Sequence, residues 1–217
     1  MNRSMPSADV KMSLLREIEG APSTPRPLES KRTARLVAGA LLLSIAAFVG
    51  YGGVRIAGRA PSLMIGTIAG TAIIAAVAVW AMIGRGRAMV GRASSWLTAV
   101  AIASPLALLA WKIFWSAQYE HGLDRIEGRV GFRCLGFTLT LGAFPLVALL
   151  FSRRGTDAVH PGRAGMGIGV ALGLAATVLV DAWCPVAYVP HLLLGHILPL
   201  VVLGAAGLWL GKKILAP

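Results

Sequence analysis

Apolar and polar positions along this chain are arranged in long blocks. Six apolar stretches of about 20 residues alternate with shorter segments rich in Arg, Gly and Pro. A helix of that length measures about 30 Å, which matches the hydrocarbon core of a lipid bilayer. The pattern therefore predicts an all-α fold, a polytopic membrane protein built as a bundle of six transmembrane helices. The predicted spans are residues 36–54, 62–83, 94–115, 132–151, 164–184 and 192–211.

Composition supports a membrane protein and argues against a soluble one. Hydrophobic residues make up 56% of the chain and charged residues only 14%, whereas about a quarter of a soluble domain is normally charged. The net charge of +12 does not predict direct nucleic-acid binding, because most Lys and Arg residues lie outside the apolar blocks, in the N-terminal segment and the short loops. The lipid bilayer is the partner that this composition indicates.

The distribution of positive charge predicts which side of the membrane each segment occupies. Of the 21 Lys and Arg residues, 15 lie on the side of the two termini and six lie on the other side. Positive charge favours the cytoplasmic side of a membrane. Both termini are therefore predicted to be cytoplasmic, and the segments after the first, third and fifth spans are predicted to face outward.

Two regions are predicted: a cytoplasmic segment over residues 1–35 and a transmembrane domain over residues 36–215. Within the first, residues 9–19 have the apolar spacing of a short helix, and residues 21–29 form a proline-rich linker. Such a helix is marginal by itself, so its apolar face is expected to bind a partner or to lie on the inner leaflet. That face consists of Val10, Leu14, Leu15 and Ile18.

Glycines recur at every fourth position in the fifth span, at Gly165, Gly169 and Gly173. This spacing lets two helices approach closely in lipid, where van der Waals packing drives association. We expect these glycines to pack against another helix of the same chain. A homodimer face is the alternative, and the sequence leaves the oligomeric state open.

The chain has two cysteines: Cys134 begins the fourth span and Cys184 ends the fifth. Because these spans are antiparallel, both thiols are expected at the outer face of the membrane, where a disulfide or a ligand pair is chemically permitted. Two buried thiols acting as small hydrophobic groups fit the sequence equally well. Neither cysteine belongs to a metal-binding spacing such as CxxC.

Carboxylate and imidazole groups are predicted near the two thiols. Asp181 lies one turn before the second cysteine, and we expect it to be a solvated helix end rather than a buried charge. Thiol, imidazole and carboxylate ligands suit zinc, cadmium or copper. We therefore expect a protein without a cofactor, and a metal ion bound at Cys134 and Cys184 is the alternative. The histidines expected on the outer side are His121, His191 and, about one turn deeper, His196.

The sequence offers little support for an enzyme or an ion-coupled transporter. It contains no P-loop, no nucleophile elbow and no CxxC oxidoreductase pair. Substrate transport usually requires polar or charged groups at the middle of the membrane, and the middles of these spans consist mainly of Ala, Leu, Val, Gly and Ile.

The second half of the chain resembles the NrsF family of six-span bacterial anti-sigma factors, the negative regulators of sigma F. The similarity covers about residues 36–215 and is strongest over 130–210. The segments that carry it are Phe132-Arg133-Cys134-Leu135, Ser152-Arg153-Arg154-Gly155, His160-Pro161 and Asp181-Ala182-Trp183-Cys184-Pro185.

The resemblance implies a function and a location for this chain. In that family a cytoplasmic N-terminal segment holds an extracytoplasmic-function (ECF) sigma factor at the inner membrane of a bacterium. Two outer-side cysteines, which Cys134 and Cys184 match, are implicated in sensing metal or oxidative stress. We assign the sigma-binding role to residues 1–35 from their position at the N-terminus, since that segment carries no motif that matches the family. The implied protein is a regulator and not an enzyme.

Two other classes of function remain open at the level of sequence. One is a small thiol-redox or metal-transport protein that uses the same cysteines. The other is a membrane scaffold without chemistry. The sequence does not name the sigma factor or the inducing signal.

Overall fold

The structure is a computed structural model that describes residues 27–54, 60–83, 94–118, 131–154, 159–184, 186 and 188–216. The predicted partner-binding face, Val10, Leu14, Leu15 and Ile18, lies outside these residues. His121 also lies outside them.

Six long helices account for most of the described chain. Each is long and apolar enough to cross a membrane, and no strand occurs among the described residues. The all-α prediction and the number of apolar helices are thereby confirmed, with boundaries that mostly differ by a few residues. The helices are α1 Pro27–Gly50, α2 Pro61–Ile83, α3 Ser94–Ser116, α4 Phe132–Ser152, α5 Pro161–Trp183 and α6 Val189–Ile214.

The first helix begins earlier than the sequence predicted. The proline-rich linker was expected to continue through Glu29, but α1 starts at Pro27. Proline is well suited to the first turn of a helix, because its missing N–H has no partner there and its φ angle is already helical. This linker prediction is wrong for its last three residues.

Helix α5 lies at the centre of the bundle, where it packs against α2, α3, α4 and α6. Its glycines meet α6 backbone to backbone. A Cβ atom added to Gly165 would lie 2.1 Å from the Gly207 carbonyl oxygen, and one added to Gly169 would lie 2.1 Å from the Leu203 oxygen. Only glycine permits this separation, so the prediction that these glycines pack within one chain is confirmed.

Candidate functional site

Both histidines at the start of α6 face the same side because the helix widens there. Residues Leu193–Ile197 form a π-helical segment. In a regular α-helix, residues five apart are rotated by about 140° from each other. The i→i+5 bonding of a π turn reduces that rotation. The rings of His191 and His196 consequently lie with their centroids 5.6 Å apart.

Two glycines bring the start of α4 against this widened turn. Gly131 precedes α4 with φ +97°, a left-handed conformation that suits glycine. A Cβ atom there would lie 3.1 Å from the Gly195 nitrogen, and a Cβ atom on Gly195 would lie 2.9 Å from Cβ of Cys134. The close approach of these backbones places the first turn of α4 beside both histidines.

The two thiols converge on one imidazole. Cys184 directly follows the last residue of α5 and has an extended backbone. Its Sγ lies 3.1 Å from Nε2 of His191, and Sγ of Cys134 lies 3.4 Å from the same atom. Both cysteines are buried and free. The prediction that the thiols share one end of the bundle therefore agrees with their placement.

Four possible metal-ligating atoms form a compact group at this end. The two sulfurs and one ring nitrogen from each histidine all lie within 4.8 Å of one another. All four residues are buried. Atoms at such separations are able to surround a single ion. The members of this group, the thiol–imidazole cluster, are Cys134, Cys184, His191 and His196.

A second polar group lies directly behind His196. Asp181 of α5 is only 3% exposed. Lys112 of α3 donates a hydrogen bond to its Oδ1, and Thr71 of α2 donates one to its Oδ2 at 2.7 Å. Nδ1 of His196 lies 3.2 Å from the same Oδ1. The carboxylate thus links four helices.

The expectation that Asp181 would be a solvated helix end is therefore wrong. A charged group at a helix end remains in water only if no neighbouring helix covers it. Here α2, α3 and α6 each supply a partner, so burial is compensated by an ion pair and hydrogen bonds.

The site, taken as the thiol–imidazole cluster with the polar group behind it, also contains residues to which the sequence prediction gave no role. Lys112 and Thr71 were not predicted as site residues, and His196 was noted only as a deeper histidine. Lys112 is 4% exposed although it was expected at a span end. The sequence did indicate a buried and paired Lys112, since an ionisable residue inside an apolar helix normally faces the bundle and pairs with an opposite charge.

Comparison with known proteins places the chain in a family. No curated relative and no solved structure matches it. A family model described as "Negative regulator of sigma F" matches residues 19–216. This match covers nearly the whole chain, including every member of the thiol–imidazole cluster. The chain therefore belongs to the NrsF family, the negative regulators of sigma F.

Proposed function

We propose that this protein is an anti-sigma factor of the bacterial inner membrane. It sequesters an ECF sigma factor in the cytoplasm and releases it when a stress signal reaches the two cysteines on the outer side. The family match carries this proposal, because a negative regulator of a sigma factor has a sigma factor as its partner. The membrane anchor consists of six helices, each of which is long and apolar enough to cross a membrane.

The proposed sigma-binding element is the N-terminal segment, residues 1–35. It is the longest polar stretch of the chain, whereas the other segments assigned to the cytoplasmic side have only about ten residues each. An amphipathic helix that docks into a groove is a common mode of recognition. The lysines and arginines of the segment also suit binding to an anionic leaflet. The test must therefore distinguish binding to the sigma factor from binding to the membrane surface.

The outer signal is proposed to act where α4 begins and α5 ends. These two helices contribute the thiols at one end of the bundle, and the segment between Ser152 and Pro161 joins their other ends. We propose that a change in the distance or orientation of α4 and α5 at the thiols is transmitted along these two helices to their other ends. Regulation requires two such arrangements that bind the sigma factor with different affinities.

A double substitution tests the sigma-binding face. Leu14→Asp with Ile18→Asp puts charge on the apolar face, so we expect the sigma factor to dissociate and its target genes to be transcribed constitutively. Co-purification from membranes and a transcriptional reporter measure the two effects. The level of the chain in the membrane should not change.

The matched control is Met12→Asp with Ser13→Asp, which adds the same two charges away from the predicted face. It should leave repression intact. Equal release by both double variants would indicate repulsion from the anionic leaflet rather than loss of a protein contact. Continued repression by the Leu14 and Ile18 variant would contradict the proposed binding face.

A further inference from the structure

We propose that the thiol–imidazole cluster is a four-ligand site for a divalent d¹⁰ cation, Zn²⁺ or Cd²⁺. Cys134, Cys184, His191 and His196 are the ligands, and Asp181 positions His196. Only the regulatory role of this site rests on the function proposed above. The binding site itself follows from the geometry of the buried residues.

The donor atoms lie at separations close to those of a tetrahedral zinc site. Zinc bonds of about 2.3 Å to sulfur and about 2.0–2.1 Å to nitrogen place neighbouring donors about 3.4–3.8 Å apart. Nε2 of His191 lies 3.1 Å from one sulfur and 3.4 Å from the other. These two separations need an adjustment of only a few tenths of an ångström, and the other donor pairs, all within 4.8 Å, need one of at most about 1 Å. Two sulfurs with two nitrogens are a ligand set that favours zinc.

One nitrogen of His196 is buried without a hydrogen-bond partner among the described residues. Its Nδ1 lies 3.2 Å from Oδ1 of Asp181 and 3.4 Å from Nζ of Lys112. In the tautomer that carries the ring proton on Nδ1, that nitrogen donates to the carboxylate. Its Nε2 is buried and makes no hydrogen bond within the described part of the chain. A carboxylate that holds the far nitrogen of a histidine ligand is the usual outer-shell arrangement of zinc sites. In that tautomer Nε2 keeps a lone pair for the ion.

The charges of the loaded site balance inside an apolar bundle. Binding exchanges the two thiol protons for one dication, so the cluster keeps the same net charge. The Asp181 carboxylate is separately neutralised by Lys112, with Thr71 on its other oxygen. Burial of an isolated charge in such surroundings would be costly. Two thiolates with two neutral imidazoles are therefore suited to a divalent ion.

The ligands connect three separate parts of the fold. They come from the first turn of α4, the end of α5 and the widened turn of α6. An ion bound to all four would hold these elements together, and its binding would be linked through Asp181 to α2 and α3. The occupied and empty states of the cluster then supply the two arrangements that regulation requires.

The experiment uses the full-length chain, reduced and purified in detergent, without any sigma factor. Zn²⁺ and Cd²⁺ are titrated in competition with a chromophoric chelator, and Co²⁺ serves as a spectroscopic substitute. We expect one equivalent of each ion to bind, and we expect the tetrahedral Co²⁺ absorption bands with sulfur-to-metal charge transfer. Cys134→Ser, Cys184→Ser, His191→Gln and His196→Gln should each weaken binding at least 100-fold.

His160→Gln is the matched control, because His160 precedes the opposite end of α5, about 33 Å away along the helix. Its affinity for the ions should equal that of the natural chain. Asp181→Asn should weaken binding about 10- to 100-fold and shift the Co²⁺ spectrum. Lys112→Gln with Asp181→Asn removes both buried charges and therefore leaves no unpaired charge that could unfold the chain. Weaker ion binding by this double variant would consequently report the lost positioning of His196 and not a loss of folding.

Two results would overturn the proposed site. One is the absence of stoichiometric Zn²⁺ or Cd²⁺ binding by the reduced, folded chain. The other is binding that depends on the cysteines but is unaffected by both histidine substitutions, as expected for a two-coordinate Cu⁺ site or an adventitious thiol complex. Neither result bears on sigma-factor binding, which is measured separately with the Leu14 and Ile18 variant.

Discussion

Helices α5 and α1 are both long, apolar and rich in small residues, but they occupy opposite environments. In α5, 67% of the most apolar window is buried inside the protein, whereas in α1 only 11% is buried. Every described polar group with a proposed role lies on α5 or on a helix that packs against it. Apolar composition therefore identifies a span, but contact with other helices decides which span can hold a buried charge or ligand.

The difference has a physical cause in the side chains that face each helix. Gly165 and Gly169 allow α6 to contact the α5 backbone directly. Helix α1 instead exposes large apolar side chains, such as Leu42 at 66% and Val49 at 66%. These side chains suit contact with lipid tails. If this contrast between α5 and α1 governs stability, substitutions at the contacts of α5 should cost more than substitutions on α1.

Breaking the buried ion pair between α3 and α5 should have the largest effect on stability. Lys112→Met leaves the Asp181 carboxylate buried without its cation, and removal of one partner from a buried pair costs about 3–5 kcal/mol. Thermal unfolding in detergent should show a large drop in Tm and a lower protein level in membranes. Lys213→Met is the control, since Lys213 is exposed over the Trp209 ring. An equal and small effect of both substitutions would contradict the proposed importance of the pair.

A methyl group at the α5–α6 contact should have the next largest effect. Gly169→Ala places a Cβ atom 2.1 Å from the Leu203 oxygen, and overpacking of this kind costs about 1–3 kcal/mol or more. Gly39→Ala on α1 is the control, because no atom lies within 4 Å of the added Cβ. Alanine favours a helix over glycine by about 1 kcal/mol, so Gly39→Ala should raise the Tm slightly. A destabilised Gly39 variant would mean that α1 has a packed face after all.

Loss of a hydrogen bond between α1 and α4 should have the smallest effect. Ser44 is buried and donates to the Leu141 oxygen at 2.9 Å. Its hydroxyl also lies within hydrogen-bonding distance of Ala40 in its own helix. Ser44→Ala should therefore lower stability by about 1 kcal/mol. Leu42→Ala, on the exposed face of α1, should be close to neutral in the same unfolding assay. A cost above that of Gly169→Ala would contradict the peripheral role of α1.

The sequence by itself determined the number of apolar helices, most of their boundaries and the family resemblance. These properties depend on local quantities: the length of an apolar run, the positions of Pro and Gly, and short segments such as the one around Cys134. Antiparallel order along the chain also placed both thiols at one end. Each of these inferences needs only neighbouring residues or the alternation of spans.

Only the tertiary structure decided which polar residues meet. Asp181 was expected in solvent because its own segment does not reveal that Lys112, Thr71 and His196 cover it from three other helices. The relation of His191 to His196 depended on a π turn, since regular helical geometry would have rotated the rings apart. Long-range packing and a local change in helical period set the site, and neither is encoded in the periodicity of an apolar span.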